Sequence, residues 1–178
     1  IGSLGAKDFK VNTKLPISFG KYFNSNDFIL HWYNSTIAKL KIKNLNNVFF
    51  HRSEQLKSEF GASVYRELKK LKNENKISGI GVSVYSPNEL TSLINQYDFD
   101  IVQIPFNIFD VRFNNTPLID RLKDSNTIIQ VRSIFLQGIL LQPFELLPSY
   151  FSSSKAVFND YERELNSVLM SRQEYCVS

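Results

Sequence analysis

The sequence DFDIVQIPFNIFDVR, residues 98–112, combines a predicted buried strand, a polar residue within that strand and a loop that follows it. Its segment 100–104, DIVQI, is rich in β-branched residues and is bounded by Asp and Pro, which is typical of a strand buried on both faces. Gln103 interrupts this apolar run near its carboxyl end. Burying a carboxamide without partners costs about 1–3 kcal/mol, so Gln103 either bonds to loop backbone or lines a polar site.

Outward from this segment, predicted strands and helices alternate along the chain. Short apolar runs of strand length occur at 9–14, 47–52, 77–84 and 127–133, in addition to 100–104. Apolar spacing close to that of a helix predicts helices at 25–42, 61–73, 86–94, 117–123 and 154–172. This alternation is typical of parallel βαβ units and predicts an α/β fold.

Each of the five predicted strands has a polar residue at its carboxyl end, namely Lys14, His51, Ser83, Gln103 and Arg132. A single surface lysine or a single satisfied carboxamide would have an ordinary structural explanation. In a (β/α)8 barrel, however, the carboxyl ends of the strands are where the active site lies. The repetition of polar residues at this position therefore predicts a functional site built from several strand ends.

Composition and charge narrow the class of partner. The chain has 178 residues, which is long enough for one domain with a sizeable core. Hydrophobic residues make up 43% of it and charged residues 21%, an ordinary composition for a globular domain. The net charge is only +4, and the densest basic cluster, residues 69–72, lies beside Glu67 and Glu74 on a predicted helix. This mixture favours a solvated helix face over a contact with nucleic acid.

The single cysteine, Cys176, excludes an internal disulfide and a cysteine-rich metal site. Neither a signal peptide nor a membrane-spanning segment is recognisable in the sequence. We therefore expect a cytoplasmic protein with no metal centre and no membrane partner.

Five segments together resemble the aldo/keto reductase family and occur in the family's order: FKVNTKLP (9–16), NNVFFHR (46–52), KISGIGVSVYSPNEL (76–90), FDIVQIPFNIFD (99–110) and IIQVRSIFLQGILL (128–141). The resemblance covers nearly the whole chain. It implies a (β/α)8 TIM barrel that is incomplete here, with about five of the eight β/α units, family strands 3 to 7. It also implies one aldo/keto reductase-like domain over residues 1–178, truncated at both ends.

The resemblance implies catalytic roles for two strand-end residues. Lys14 fills the position of the family's lysine and His51 that of its histidine, which act in a tetrad with an Asp and a Tyr. Reduction of a carbonyl by hydride needs a proton donor at the developing alkoxide, for which the family uses the tyrosine. A nearby ammonium lowers the pKa of that tyrosine, and an imidazole orients or polarises the carbonyl oxygen.

The resemblance also implies a nicotinamide cofactor, either NADPH or NADH. Ser83 and Gln103 would contact the carboxamide of the nicotinamide, whose donor and acceptor match these side chains. Ser133, Phe135 and Gln137 would lie along the pyrophosphate. Further cofactor and substrate contacts are implied at Arg132 and Arg52.

Two arginines leave alternatives open. Arg132 stands where many family members have a tyrosine that stacks on the nicotinamide, and a planar guanidinium can stack or pair with a phosphate or an acidic substrate. Arg52, beside His51, could bind a substrate anion or form a structural salt bridge. A further departure is Val84, which stands where many members have an asparagine.

The implied function is NAD(P)H-dependent reduction of an aldehyde, ketone or sugar carbonyl. Residues 1–13 contain no match for the family's Asp and Tyr, so we expect this fragment by itself to be inactive. The alternative is a catalytically silent aldo/keto reductase-like module that binds or regulates. The sequence leaves the substrate, the choice between NADH and NADPH, and the oligomeric state open.

Overall fold

The computed structural model describes residues 9–17, 25–114 and 116–178, in which strands and helices alternate. The strands are β1 (Thr13–Lys14), β2 (Leu45–Phe50), β3 (Ile77–Ser83), β4 (Ile101–Pro105) and β5 (Ile128–Arg132). The α-helices are α1 (Ser25–Leu40), α2 (Glu54–Lys57), α3 (Gly61–Asn73), α4 (Pro87–Ile94), α5 (Pro117–Asp124), α6 (Lys155–Val168) and α7 (Arg172–Val177). Short 3-10 segments lie between β5 and α6, at Leu136–Leu141, Phe144–Leu146 and Ser149–Ser154.

The five strands form one sheet in chain order, β1-β2-β3-β4-β5. The pairs β1–β2, β2–β3 and β3–β4 are parallel, and their register aligns Lys14 with Phe49, Phe49 with Gly81, and Gly81 with Ile101. A helix crosses between each strand and the next, as parallel pairing requires. The predicted α/β fold with parallel βαβ units is confirmed.

Local sequence explains where the crossover helices begin and which face they bury. Ser86 caps α4 by accepting a 3.3 Å hydrogen bond from the Glu89 amide, and Pro87 occupies the first turn, where its missing N–H costs nothing. In α3 the buried residues Val64 and Leu68 recur at helical spacing, so one stripe of this helix faces the sheet.

The helix-facing side of the sheet forms the main core. Alternate residues of the three central strands are almost fully buried there: Val48, Phe50, Ile80, Val82, Val102 and Ile104. They pack in one cluster with helix residues such as Leu68 and Leu90. Burying each such side chain contributes about 1.5–3 kcal/mol, so this layer fixes the strands whose opposite face carries the polar residues.

Some predicted boundaries are corrected. The predicted strand at 9–14 is observed only as Thr13–Lys14, and β2 ends at Phe50, so His51 and Arg52 follow the strand instead of ending it. The single helix predicted over 154–172 is wrong. It is interrupted at Leu169, which is left-handed (φ 53°), and α7 then begins with a capping box of Ser171 and Glu174.

The chain divides into two compact units, and the single-domain organisation stays a prediction. The first unit comprises residues up to Ile104 together with Phe113–Gln130. The second comprises Pro105–Arg112 and Val131–Ser178, and its own core consists of Leu140, Phe158, Tyr161 and Leu165. Within the described ranges, no helix is long and apolar enough to cross a membrane.

Candidate functional site

The polar strand-end residues of the first unit share one face of the sheet, opposite the helix-facing core. Successive strand residues point to opposite faces, so residues two apart share a face. One row on this inner face contains Lys14, Phe49, Gly81 and Ile101, and the next row contains the paired Ser83 and Gln103. The row of polar groups therefore lies toward the carboxyl ends of the strands.

Gln103 is the centre of the polar cluster on this face. Its Oε1 accepts a 2.8 Å hydrogen bond from Lys14 Nζ and a 3.2 Å bond from Ser83 Oγ. Its Nε2 donates a 3.2 Å bond to Gln130 Oε1 on β5. Because an ammonium can only donate, Lys14 fixes which way the carboxamide of Gln103 faces. The interpretation that loop backbone alone satisfies Gln103 is therefore wrong.

The contact between Lys14 and Gln103 shows that the sheet is curved. Two strands separate β1 from β4, and neighbouring strands lie about 4.7–4.9 Å apart, so a flat sheet would hold them roughly 14 Å apart. Side chains stand roughly perpendicular to a flat sheet and could not meet across that span. The 2.8 Å distance from Nζ to Oε1 therefore requires the sheet to curl around its inner face.

Apolar residues form a floor below the polar cluster. A Cβ placed on Gly81 would lie 2.6 Å from Cδ1 of Phe49 and 2.8 Å from Cγ2 of Ile101, both of which are buried. Only glycine leaves room for the Phe49 ring at this point of close approach. The polar groups above are thus backed by a closely packed apolar layer.

His51 lies level with this cluster. It directly follows Phe50, whose partner in the register is Val82, the residue before Ser83. Partial burial lowers the pKa of the imidazole below its usual value of 6.5, and the positive charges of Lys14 and Arg52 lower this pKa further. At neutral pH His51 is therefore uncharged.

Arg52 is exposed beside His51, and it forms no salt bridge with any of the residues that the structure describes. The open alternative of a structural ion pair at Arg52 thus finds no support in that part of the chain.

The remaining predicted cofactor residues belong to the second unit. Arg132 ends β5, and its carbonyl accepts a 3.1 Å bond from the Phe106 amide. The turn that follows has left-handed backbone at Ser133 (φ 65°), Gln137 (φ 57°) and Gly138 (φ 91°). Left-handed backbone at residues other than glycine is uncommon and concentrates at functional sites, where surrounding contacts must hold it in place.

Asn107 supplies those contacts for the turn. This residue is 2% exposed, and its Nδ2 donates a 3.2 Å bond to the Ser133 carbonyl while its Oδ1 accepts from the Phe109 amide at 2.9 Å. The next acid, Asp110, has its pKa lowered chiefly by a hydrogen bond from Arg112, with a smaller contribution from the charge of Arg132. Asn107 therefore ties the loop after β4 to the turn after β5 within the second unit.

The model of the aldo/keto reductase family matches residues 5–173. The chain belongs to this family. A search of curated protein sequences found no match. The aldo/keto reductase resemblance and the incomplete barrel inferred from the sequence are confirmed.

Solved structures of aldo/keto reductases share the fold. The glycerol dehydrogenase AKR11B4 from Gluconobacter oxydans superposes with a TM-score of 0.68 at 18% identity, over 94% of this chain and 58% of its own. The holo form of AKR11C1 from Bacillus halodurans gives 0.62 at 18% identity, over 80% and 48%. An aldo/keto reductase from Brucella melitensis gives 0.54 at 22% identity, over 74% and 48%. The chain thus spans about half the length of these family members.

Two residues that bond to the site in this aldo/keto reductase chain, Gln130 and Gln55, are not predicted from its sequence. Gln130 looked like one more residue of the strand IIQVR, although its position two before Arg132 puts it on the same face as that strand-end residue. Gln55 in α2 accepts bonds from the backbone of His51 and Arg52, but a four-residue helix carries no periodic signal.

In the described ranges, no group of three or more His, Cys, Asp or Glu side chains could hold a metal ion.

Proposed function

We propose that the protein containing this chain reduces an aldehyde, ketone or sugar carbonyl to the alcohol with NADPH or NADH. The observation that carries the proposal is the 2.8 Å bond from Lys14 Nζ to Gln103 Oε1, which joins the end of β1 to the middle of β4, 89 residues apart in the chain. It gathers a cation, a hydroxyl and a carboxamide at one point beside a neutral imidazole. Membership of the aldo/keto reductase family supports an oxidoreductase activity of this kind.

The free hydrogen-bonding groups of the cluster fit a nicotinamide carboxamide. Both lone-pair positions of Gln103 Oε1 are occupied, by Lys14 and Ser83, and one of its two N–H groups bonds Gln130. Among the described residues, the second N–H of Gln103 and the lone pairs of Ser83 Oγ have no partner, and they match the carbonyl and the amino group of the nicotinamide amide. Gln103 is half-buried and would make the direct contact, whereas Ser83, at 1% exposure, would chiefly orient it.

When bound, the reduced nicotinamide supplies the hydride that adds to the carbonyl carbon, and the oxygen then takes up a proton. Lys14 would place a positive charge near this developing oxyanion. His51 is neutral at physiological pH because its pKa is lowered, so it can donate a hydrogen bond that orients the carbonyl without adding a second charge. The proton itself would come from the family's tyrosine.

The second unit contains candidate cofactor contacts of its own. We assign Ser133, Phe135 and Gln137 to the pyrophosphate, because left-handed backbone of the kind found at Ser133 and Gln137 also occurs in anion-binding loops. Arg132 would stack on the nicotinamide or pair with a phosphate. Arg52, exposed beside His51, would bind an anionic group of the substrate.

The single cysteine suits a reducing cytoplasm, where we place this activity.

The test uses the complete protein encoded by the reading frame that contains this chain. Binding of NADPH and NADH is followed by their fluorescence, and turnover by cofactor oxidation with a panel of aliphatic, aromatic and sugar aldehydes. We expect Gln103→Met to weaken cofactor binding at least about tenfold, since a site built to hydrogen-bond a group loses that much when a partner is removed. Gln96→Met is the matched control, because Gln96 is exposed and its side chain donates to the Ser92 carbonyl within its own helix region.

The outcomes separate the two candidate functions. Cofactor oxidation by at least one carbonyl supports the reductase. Cofactor binding that depends on Gln103 without any turnover would replace it by the silent binding module. No binding of either cofactor would refute both.

A further inference from the structure

Gln55 is a buried carboxamide beside the proposed catalytic residues. It lies in α2, directly after the β2 loop, and only 5% of its surface is exposed. Its Oε1 accepts hydrogen bonds from the backbone amides of His51 (2.6 Å) and Arg52 (3.1 Å). Its Nε2 donates a 2.7 Å bond to the carbonyl of Pro16. One side chain thus satisfies three backbone groups from two different chain segments.

These bonds join the ends of β1 and β2 where direct backbone pairing stops. Among the residues that the structure describes, the last backbone bond between the two segments runs from the Leu15 amide to the Phe49 carbonyl at 2.8 Å. Beyond this bond, the carboxamide of Gln55 connects the two segments: its Oε1 accepts from the His51 amide, and its Nε2 donates to the Pro16 carbonyl.

The two segments joined in this way carry Lys14 and His51. Lys14 lies two residues before Pro16, and His51 is itself bonded through its amide. We propose that Gln55 is a positioning residue that sets the distance between the His51 imidazole and the Lys14 ammonium. This inference rests on the proposed reductase function for its kinetic consequences, although the positioning itself can be measured without turnover.

Removing the carboxamide has a specific expected effect. In Gln55→Met the side chain keeps its length and its burial but loses the acceptor and the donor. The His51 loop and the segment after β1 then separate, while the bond from Ser83 to Gln103 remains, because Gln55 bonds neither residue. The catalytic step depends on Lys14 and His51 and should suffer, whereas cofactor binding should not.

The matched control is Tyr97→Phe. The Tyr97 hydroxyl donates a 3.3 Å bond to the Leu56 carbonyl, so this variant also removes a hydrogen bond that anchors α2. It leaves the bonds of Gln55 to His51 and Pro16 intact. A purely structural role of Gln55 in holding α2 would make the two variants behave alike.

The experiment measures steady-state kinetics of the complete protein with NADPH or NADH and the aldehyde that the unaltered protein reduces fastest. For Gln55→Met we expect kcat to fall by about tenfold or more, because small displacements of catalytic groups cost this much. The KM for the cofactor should stay within about twofold, and Tyr97→Phe should leave kcat unchanged within the same margin.

A second measurement is independent of activity. The pKa of His51 is read by NMR titration, with the His31→Gln variant used to assign the signals of the two histidines in this chain. The charged groups that act on His51 in the described part of the chain are Lys14 and Arg52. Moving Lys14 away, and exposing the ring, should raise the pKa toward 6.5 in Gln55→Met and not in Tyr97→Phe.

The two measurements distinguish the possible failures. An inactive unaltered protein would refute the reductase, and the titration would still decide the positioning role. Equal kcat and equal His51 pKa values in Gln55→Met and Tyr97→Phe would overturn the inference about Gln55 while leaving the reductase intact.

Discussion

The bond between Lys14 and Gln103 makes a quantitative prediction that a double-mutant cycle can test. The perturbations are Lys14→Met, Gln103→Met and the double variant, each of similar volume to the residue replaced. The bond is short, at 2.8 Å from Nζ to Oε1, and its donor is charged. A hydrogen bond to a charged group contributes about 1.5–3 kcal/mol to stability.

Solvent reduces that contribution, because both residues are only half-buried. We therefore expect a coupling energy of about 1–1.5 kcal/mol between the two positions. Each single variant also loses other interactions, such as the bonds of Gln103 to Ser83 and Gln130, but the cycle subtracts these terms.

The assay is urea unfolding of the four proteins, followed by far-ultraviolet circular dichroism. With a slope of about 2 kcal/mol per molar urea, a coupling of this size corresponds to a difference of roughly 0.5–0.75 M in summed midpoints. A control cycle pairs Lys14→Met with Gln96→Met, an exposed position with no contact to Lys14, and should give a coupling near zero. Additive effects at Lys14 and Gln103, within about 0.3 kcal/mol, would refute the shared polar cluster.

Two further predictions concern the same face of the sheet. Gly81→Ala should lower the free energy of unfolding by about 1–3 kcal/mol, because the added methyl overlaps Phe49 and Ile101. An unchanged urea midpoint would contradict this packing. Gly138→Ala is the control: its Cβ would lie in open space, so its effect on stability reports backbone strain at φ 91° without overlap. His51 has a lowered pKa in the folded protein, so it binds its proton more readily when unfolded; its contribution to stability is present above pH 6.5 and is lost as the pH falls from there through the lower pKa of the folded protein. The pH dependence of unfolding between about pH 7.5 and pH 5 should therefore be shallower in His51→Gln than in the unaltered protein, and identical slopes would rule out the lowered pKa.

The strand-end residues were accessible from the sequence because their signal is local. Lys14, Ser83 and Gln103 each end or interrupt a short apolar run, and parallel strands bring such ends to one edge of a sheet. The hydrogen bonds among them depend on the curvature of the sheet, and this curvature cannot be predicted from a run of five or six residues. The apolar rows and the helix boundaries of α3 and α4 were predictable for the same local reason.

Other features were beyond reach of sequence reasoning because tertiary contacts decide them. Gln55 acts through three backbone groups in two segments, which becomes visible only once β1 and β2 are paired. The end of α6 at Leu169 was missed because leucine is a good helix former and gives no sign of left-handed backbone. The capping box at Ser171 and Glu174 was the available signal, since its pattern precedes a helix start.

The curvature of the sheet also has a consequence for the order of folding. Neighbouring strands pair over shorter stretches of chain than the polar cluster does. Leu45 of β2 and Ile77 of β3 are 77 − 45 = 32 residues apart, whereas the Lys14–Gln103 bond joins residues 89 apart. Entropy favours the short closures first, so the βα units can add one after another before the ends of the strands converge. The polar cluster is then the last part to assemble and the first to open, and its amides and side chains should exchange with water while the helix-facing layer is still protected.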